Sequence, residues 1–172
     1  MQVKEEEQLQ IRIVNIFALM ANNIASKNFS VQISSGQRYR AIQPAKLISN
    51  RNESGKSGLQ GVLAGRHFNN MGRASGELDL KLIWKSDFDI PTIAYVELKT
   101  PKRFSETGYY HKNAGRYKKG DKKPNTNQHN LEDSQVNFIN EICNKFNIPY
   151  LVACDEAQVF DFFIKLRVLK KL

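Results

Sequence analysis

Asp79, Glu97 and Lys99 stand in two short alternating segments, ELDLKLIWK over 77–85 and IAYVELKT over 93–100. Side chains alternate across a strand, so Glu97 and Lys99 share one face while Val96 and Leu98 take the other. The same alternation puts Glu77 and Asp79 on one face, opposite Leu78 and Leu80. The apolar residues then go to the core, and the charged ones form a rim. If the segments pair antiparallel, Asp79 lies near Glu97. Two carboxylates brought together repel unless a cation sits between them, and hard oxygen ligands select Mg²⁺ or Mn²⁺. A lysine beside such an ion can position or activate an attacking water and stabilise charge developing on phosphorus. Alone, Asp…Glu-x-Lys is a weak signal, because charged alternation on a half-exposed strand is common.

Two further polar residues sit where apolar ones are expected. Segment 5–22 reads as a helix whose stripe is Leu9, Ile13, Ile16, Phe17 and Met20. With Glu6 at zero and about 100° per residue, Ile13 falls at about 340°, Phe17 at about 20° and Gln10 at about 40°. Glu6 is therefore centred on the stripe, with Glu5 and Glu7 to either side. A buried carboxylate is costly unless paired or metal-bound. The alternative is an N-terminal acid favoured by the helix dipole, or a frayed end. Gln135 repeats the pattern on a second amphipathic helix over 131–147, with Ile142 at about 340° and Phe146 at about 20° from it. A glutamine there should hydrogen-bond something inside, unless it merely belongs to the helix start that 131–134 resembles. One shared polar site accounts for both residues.

The elements that must position these groups follow in order. A strand is expected over 29–34, then a short helix around 44–49 and a long loop to 75. The hairpin over 77–85 and 93–100 turns through Asp87, Asp89 and Pro91. Segment 101–130 reads as a mobile insertion. The helix over 131–147 leads to a strand over 149–154 and a last helix over 155–164, and the basic tail 165–172 has no assigned element. This α–β–β–β–α–β–α order predicts an α/β domain spanning 1–172, a mixed sheet flanked by helices. No internal repeat is present.

The net charge of +9 is concentrated in two stretches. Residues 37–73 carry seven Lys/Arg against one acid and 101–130 carry eight against two, so each contributes +6. Clustered positive charge attracts polyanions, although charge runs also form solvated faces. The side chains expected on phosphate are Arg38, Arg40, Arg73, Lys102, Arg103, Lys112, Arg116, Lys118, Lys119, Lys122 and Lys123. Tyr109, Tyr110 and Tyr117, interleaved with the lysines, can stack on unpaired bases. Ser54-Gly55-Lys56-Ser57 lacks the upstream glycine of a Walker A loop, since position 50 is Asn50. His67, His111 and His129 lack the spacing of a zinc site, and Trp84 reads as packing. Cys143 and Cys154 suit reduced thiols in the cytoplasm. Neither a membrane span nor a secretory leader is expected.

The pieces EEQLQIRIVNIF, SSGQRY, SGELDL, YVELKTPKRFS, LEDSQVNFINEICNKFNIPYLVAC and DEAQVFDFF, in that order, resemble the virus-type replication-repair nuclease (VRR-NUC) domain of the PD-(D/E)xK superfamily. The resemblance covers nearly the whole chain apart from 101–130 and the tail. It implies a restriction-endonuclease-like core in which Asp79 and Glu97 bind Mg²⁺ or Mn²⁺ with help from the Leu98 carbonyl. It also implies that Lys99 acts on the water, Glu6 is the helix-borne acid and Gln135 supports the centre. Two departures are visible: Leu78 stands where the family usually has proline, and the loop after Glu-x-Lys is long and basic. Single-domain members are similar to Holliday-junction resolvases and tend to be homodimers. The expectation is a DNA endonuclease acting on branched DNA. The rival readings are an idle nucleic-acid-binding module with the same fold and a ribonuclease.

Overall fold

The computed structural model describes residues 5–50, 76–99 and 131–172, with the backbone of Tyr109–His111 and Thr126–Gln128. Helix α1 (Glu5–Asn22) forms where the stripe predicts and buries Leu9, Ile13, Phe17 and Met20. The chain continues through β1 (Val31–Gln32), β2 (Arg38–Ala41) and β3 (Ala45–Ser49). The hairpin β4 (Leu80–Lys85) and β5 (Pro91–Leu98) follows, then an antiparallel pair, β6 (Tyr109–His111) and β7 (Thr126–Gln128). Helix α2 (Asp133–Phe138) runs directly into a π-helical segment (Ile139–Asn144). Strand β8 (Tyr150–Ala153), helix α3 (Glu156–Lys165) and strand β9 (Leu169–Lys171) complete the order.

The main sheet runs β3-β4-β5-β8, antiparallel except for the parallel pair β5–β8. Parallel neighbours need a crossover, and α2 with its π segment supplies it. A separate antiparallel sheet runs β1-β2-β9. The architecture is thus α/β, with helices and mixed sheets. One apolar cluster joins Leu80, Leu82, Ala94, Val96 and Leu98 to α1 and α3, where Phe17 and Phe163 meet edge-to-face at 5.5 Å. A second gathers Leu78, Tyr95, Leu131, Phe138, Ile139, Cys143 and Val152. Each large apolar side chain so buried contributes about 1.5–3 kcal/mol. With clusters on both faces, β5 is buried almost continuously. Among the described residues, no helix is long and apolar enough to cross a membrane.

Several expectations need correction. Residues 45–49 form a strand instead of a helix, because Ala45 to Ser49 register against Trp84 to Leu80 and sheet pairing overrides the helix-start signal of Pro44. The strand expected over 29–34 shrinks to Val31–Gln32 and joins the small sheet, so β3 supplies the main sheet's extra strand. Regular β4 begins only at Leu80, which sends Leu78 and Leu80 to different clusters instead of one face. The helix over 131–147 changes to π geometry, whose wider turn shifts the stripe: Cys143 is buried and Phe146 is 65% exposed. The tail holds a strand, β9, that the sequence did not suggest. Within 101–130, the described backbone is the β6–β7 pair.

Candidate active site

Asp79 lies in the bend that leads into β4, and its backbone is held from two sides. Its carbonyl accepts the Asn50 amide at 2.7 Å and Gln10 Nε2 at 3.0 Å. Asn50 Nδ2 also donates to the Leu78 carbonyl at 2.9 Å. The antiparallel register pairs Leu80 with Val96, and one further step sets Asp79 opposite Glu97. The Asp79 side chain turns onto β5, where Oδ2 accepts the Leu98 amide at 2.8 Å. Leu98, expected to offer its carbonyl, therefore also reaches this carboxylate through its N–H.

Glu97 and Lys99 share a face, as alternation requires, but they are buried at 2% and 5% exposure and do not form the expected rim. Gln135 from the start of α2 lies on both side chains, and β8 pairs with the backbone beside them, where the Lys99 amide donates to the Ala153 carbonyl at 2.9 Å. Lys99 Nζ sits 2.7 Å from Glu97 Oε1 and donates to Gln135 Oε1 at 3.2 Å. Gln135 Nε2 donates to the same Glu97 oxygen. Both readings of Gln135 hold together: it is in the first turn of α2, where Oε1 also accepts the Glu132 amide at 2.9 Å, and it braces the acid and the lysine.

The carboxyl pair is electrostatically incomplete. Burial and the neighbouring Asp79 charge push Glu97 up to about 7, against the opposing pull of Lys99 and Gln135. Burial pushes Asp79 up to about 6, with Glu6 raising it further and the Leu98 amide, Lys99 and a hydrogen bond with the facing Glu97 carboxyl holding it back. Glu97 Oε2 is buried and has no hydrogen-bond partner among the described residues. Facing carboxylates and an orphaned oxygen fit a hard divalent cation. Among the described residues, no group of three or more His, Cys, Asp or Glu is placed to hold a metal. A Mg²⁺ site of one or two carboxylates completed by water and substrate phosphate needs no more than this pair.

The remaining expected residues divide. Glu6 is half-buried, close enough for its charge to act on Asp79, and lines a cleft of about 630 Å³ that Lys99 also lines. Arg38 and Arg40 stand on β2 in the small sheet, apart from the carboxyl pair. Arg73, Lys102, Arg103, Lys112, Arg116, Lys118, Lys119, Lys122 and Lys123 lie outside the described residues.

Sequence reasoning missed three supports. Gln10, one turn from Glu6 on the same stripe, was visible on the helical wheel and ties α1 to Asp79 and to Ser49 Oγ at 2.9 Å. Gly76 has φ +81°, and a Cβ there would lie 2.1 Å from the Ser134 carbonyl oxygen, so only glycine lets this turn approach the start of α2. Glu156, buried at the start of α3, accepts Arg12 Nε at 2.7 Å, the Ser34 amide at 3.2 Å and Ser34 Oγ at 3.0 Å. It locks α1 and the β1–β2 turn together along the Lys99 cleft. No family model, curated protein sequence or solved structure matches this chain.

Proposed function

We propose that this chain is a metal-dependent endonuclease acting on DNA, with a restriction-endonuclease-like core of the VRR-NUC kind. The observation that carries the reading is the buried Glu97 carboxylate, one oxygen braced by Lys99 and Gln135, the other without a partner among the described residues and Asp79 beside it. Its support in the fold is the order α1, β3, β4, β5, α2, β8 around one mixed sheet.

Asp79 and Glu97 are the residues that would hold Mg²⁺ or Mn²⁺, with the Leu98 carbonyl and Glu6 as further oxygen donors. When bound, the ion supplies Lewis-acid stabilisation of the phosphate and acidifies water. Lys99, on the cleft wall, orients the attacking water and stabilises charge on phosphorus. Gln135 and Glu97 hold its ammonium in place beforehand, so little freedom is lost at the moment of reaction. Phosphate contacts from basic side chains hold the backbone without reading sequence. Branched DNA is the favoured substrate.

The test is cleavage of four-way junction, flap, linear duplex, single-stranded DNA and RNA with Mg²⁺, Mn²⁺ or chelator. Asp79→Asn and Lys99→Ala should each lower the rate by about 10²–10³-fold, the range for removing a group that stabilises transition-state charge. Unchanged rates in both variants would eliminate the site. Tight, salt-sensitive binding with no cleavage of any substrate would make the chain a binding module.

A further inference from the structure

We infer that the β2–β9 face is a docking platform for a nucleic-acid backbone and delivers it to the Lys99 cleft. The naming of the anion rests on the nuclease reading, but the cationic face does not. Tyr39 and Ala41 are buried on the inner side of β2, so Arg38 and Arg40 stand on its outer side. The tail returns as β9 and places Lys170 directly across from Arg40. None of the three cations makes a salt bridge among the described residues. The nearby acid Asp161 is turned inward, onto the Tyr39 hydroxyl at 3.0 Å.

Like charges directly opposite on neighbouring strands destabilise a sheet, so this arrangement has a cost in the free protein. Lysine on an edge strand has one ordinary explanation, protection against edge-to-edge pairing. That explanation fits Lys170 on β9 but fails for Arg38, which pairs with Gln32 of β1 on one side and whose carbonyl accepts the Leu172 amide at 3.0 Å on the other. The arginines are also held in advance. Arg38 Nη2 donates to Ser30 Oγ at 2.8 Å and Arg40 Nη1 to the Lys27 carbonyl at 2.5 Å; Arg40 Nε is buried, so the donors left for a ligand are the outer guanidinium N–H groups.

The platform has a direction. Ser34 and Ser35, in the turn that ends at Gly36, line the cleft with Lys99, and Arg38 follows two residues after that glycine. Arg38 and Arg40 lie about 7 Å apart by the rise of a strand. A phosphate chain laid along β2 from Arg40 past Arg38 therefore arrives at the mouth of the cleft. The cleft carries Glu5, Glu6, Asp155 and Glu156 on its walls against the cations Arg12 and Lys99, so the basic face outside it is the better seat for a polyanion.

The decisive measurement is anisotropy titration of a labelled DNA duplex in chelator over a range of salt. It compares the full chain with an Arg38→Gln/Arg40→Gln/Lys170→Gln variant and a Lys145→Gln control. The triple variant should bind at least tenfold more weakly, and its log K against log salt slope should be shallower by about 2.7, the value for three lost phosphate contacts. The control should match the parent, since Lys145 pairs with Glu141 on another element. Equal affinity and slope in a triple variant with unchanged melting temperature would overturn the platform. Loss of binding to anionic phospholipid vesicles with duplex binding intact would overturn the nucleic-acid assignment. Because no cleavage is measured, these results stand whether or not Asp79→Asn abolishes activity.

Discussion

Glu97 and Glu156 are both buried carboxylates with a cation on one oxygen, and they differ in the other oxygen. Glu156 gives Oε1 to Arg12 at 2.7 Å and Oε2 to the Ser34 amide and hydroxyl at 3.2 and 3.0 Å. Its charge is answered and its lone pairs are used. Glu97 crowds Lys99 and Gln135 onto Oε1 and leaves Oε2 bare among the described residues, with a second acid beside it. A protein that needed only to bury a glutamate would follow the first pattern. The second is the pattern that the proposed metal site calls for.

Substituting each glutamate by glutamine breaks the comparison most directly. Glu97→Gln should lower metal-dependent cleavage by about 10³-fold, as for loss of a group that acts on transition-state charge. Its melting temperature should change little, since the amide still accepts from Lys99 and no longer opposes Asp79. Glu156→Gln should do the reverse. Losing a charge-assisted partner for Arg12 removes about 2 kcal/mol of stability, and cleavage below the melting transition should stay within about tenfold of the parent. Paired rate and calorimetric measurements check both. Equal rate losses in the two variants would erase the distinction between a site acid and a structural one.

The pH dependence of the metal-free chain sharpens the same contrast at smaller amplitude. Asp79 and Glu97 rise to about 6 and about 7 in the folded state, from 3.8 and 4.5. Below about pH 4 both carboxyls keep their protons folded or unfolded, and their contribution is fully present. As pH rises through 6 and 7 the folded chain must ionise them against burial, so that stability is lost. Melting temperature should therefore fall between about pH 4 and pH 7 more steeply in the parent than in Asp79→Asn. Added Mg²⁺ should restore more stability at pH 8 than at pH 5, because the ion binds the ionised pair. A parent curve parallel to that of Asp79→Asn would show that the two carboxyls do not share a field.

How far the sequence carried this picture depends on where each signal lives. Alternation over 93–98 and the 3.6-residue stripe of α1 are local, and both became the expected elements. Asp79, Glu97, Lys99 and Gln135 converge because strand register and helix phase place them, and both can be read from residue order. Burial of Glu97 and Lys99 could not be read, since it needs the start of α2 to lie over the end of β5, contacts 36 and 38 residues apart in sequence. The π segment escaped notice because nothing in INEICN distinguishes an extra residue per turn from an ordinary helix. Strand β9 was hidden for the reverse reason: LKK has no apolar alternation, and only its pairing with RYRA makes it a strand. Glu156 looked like any first-turn acid until α1 and the Ser34 turn met it.

Helix α1 serves both glutamates, and the smallest expected effect tests that division. Arg12 and Gln10 are one turn apart or less, yet Arg12 completes Glu156 while Gln10 braces the Asp79 carbonyl at 3.0 Å. Gln10→Met keeps most of the packing and removes the donor. The Asp79 carbonyl retains the Asn50 amide at 2.7 Å, so the loss of stability should be only about 1 kcal/mol. What changes is the freedom of the bend that carries the acid. A small displacement of a reacting group weakens catalysis more than it weakens folding, so kcat should fall about three- to tenfold with KM for DNA unchanged. Arg12→Met should show the opposite balance, a larger stability loss and a smaller change in kcat. A rise in KM for Gln10→Met, with kcat intact, would place Gln10 with the binding surface and make α1 a DNA-contacting helix instead of the bridge between two acids.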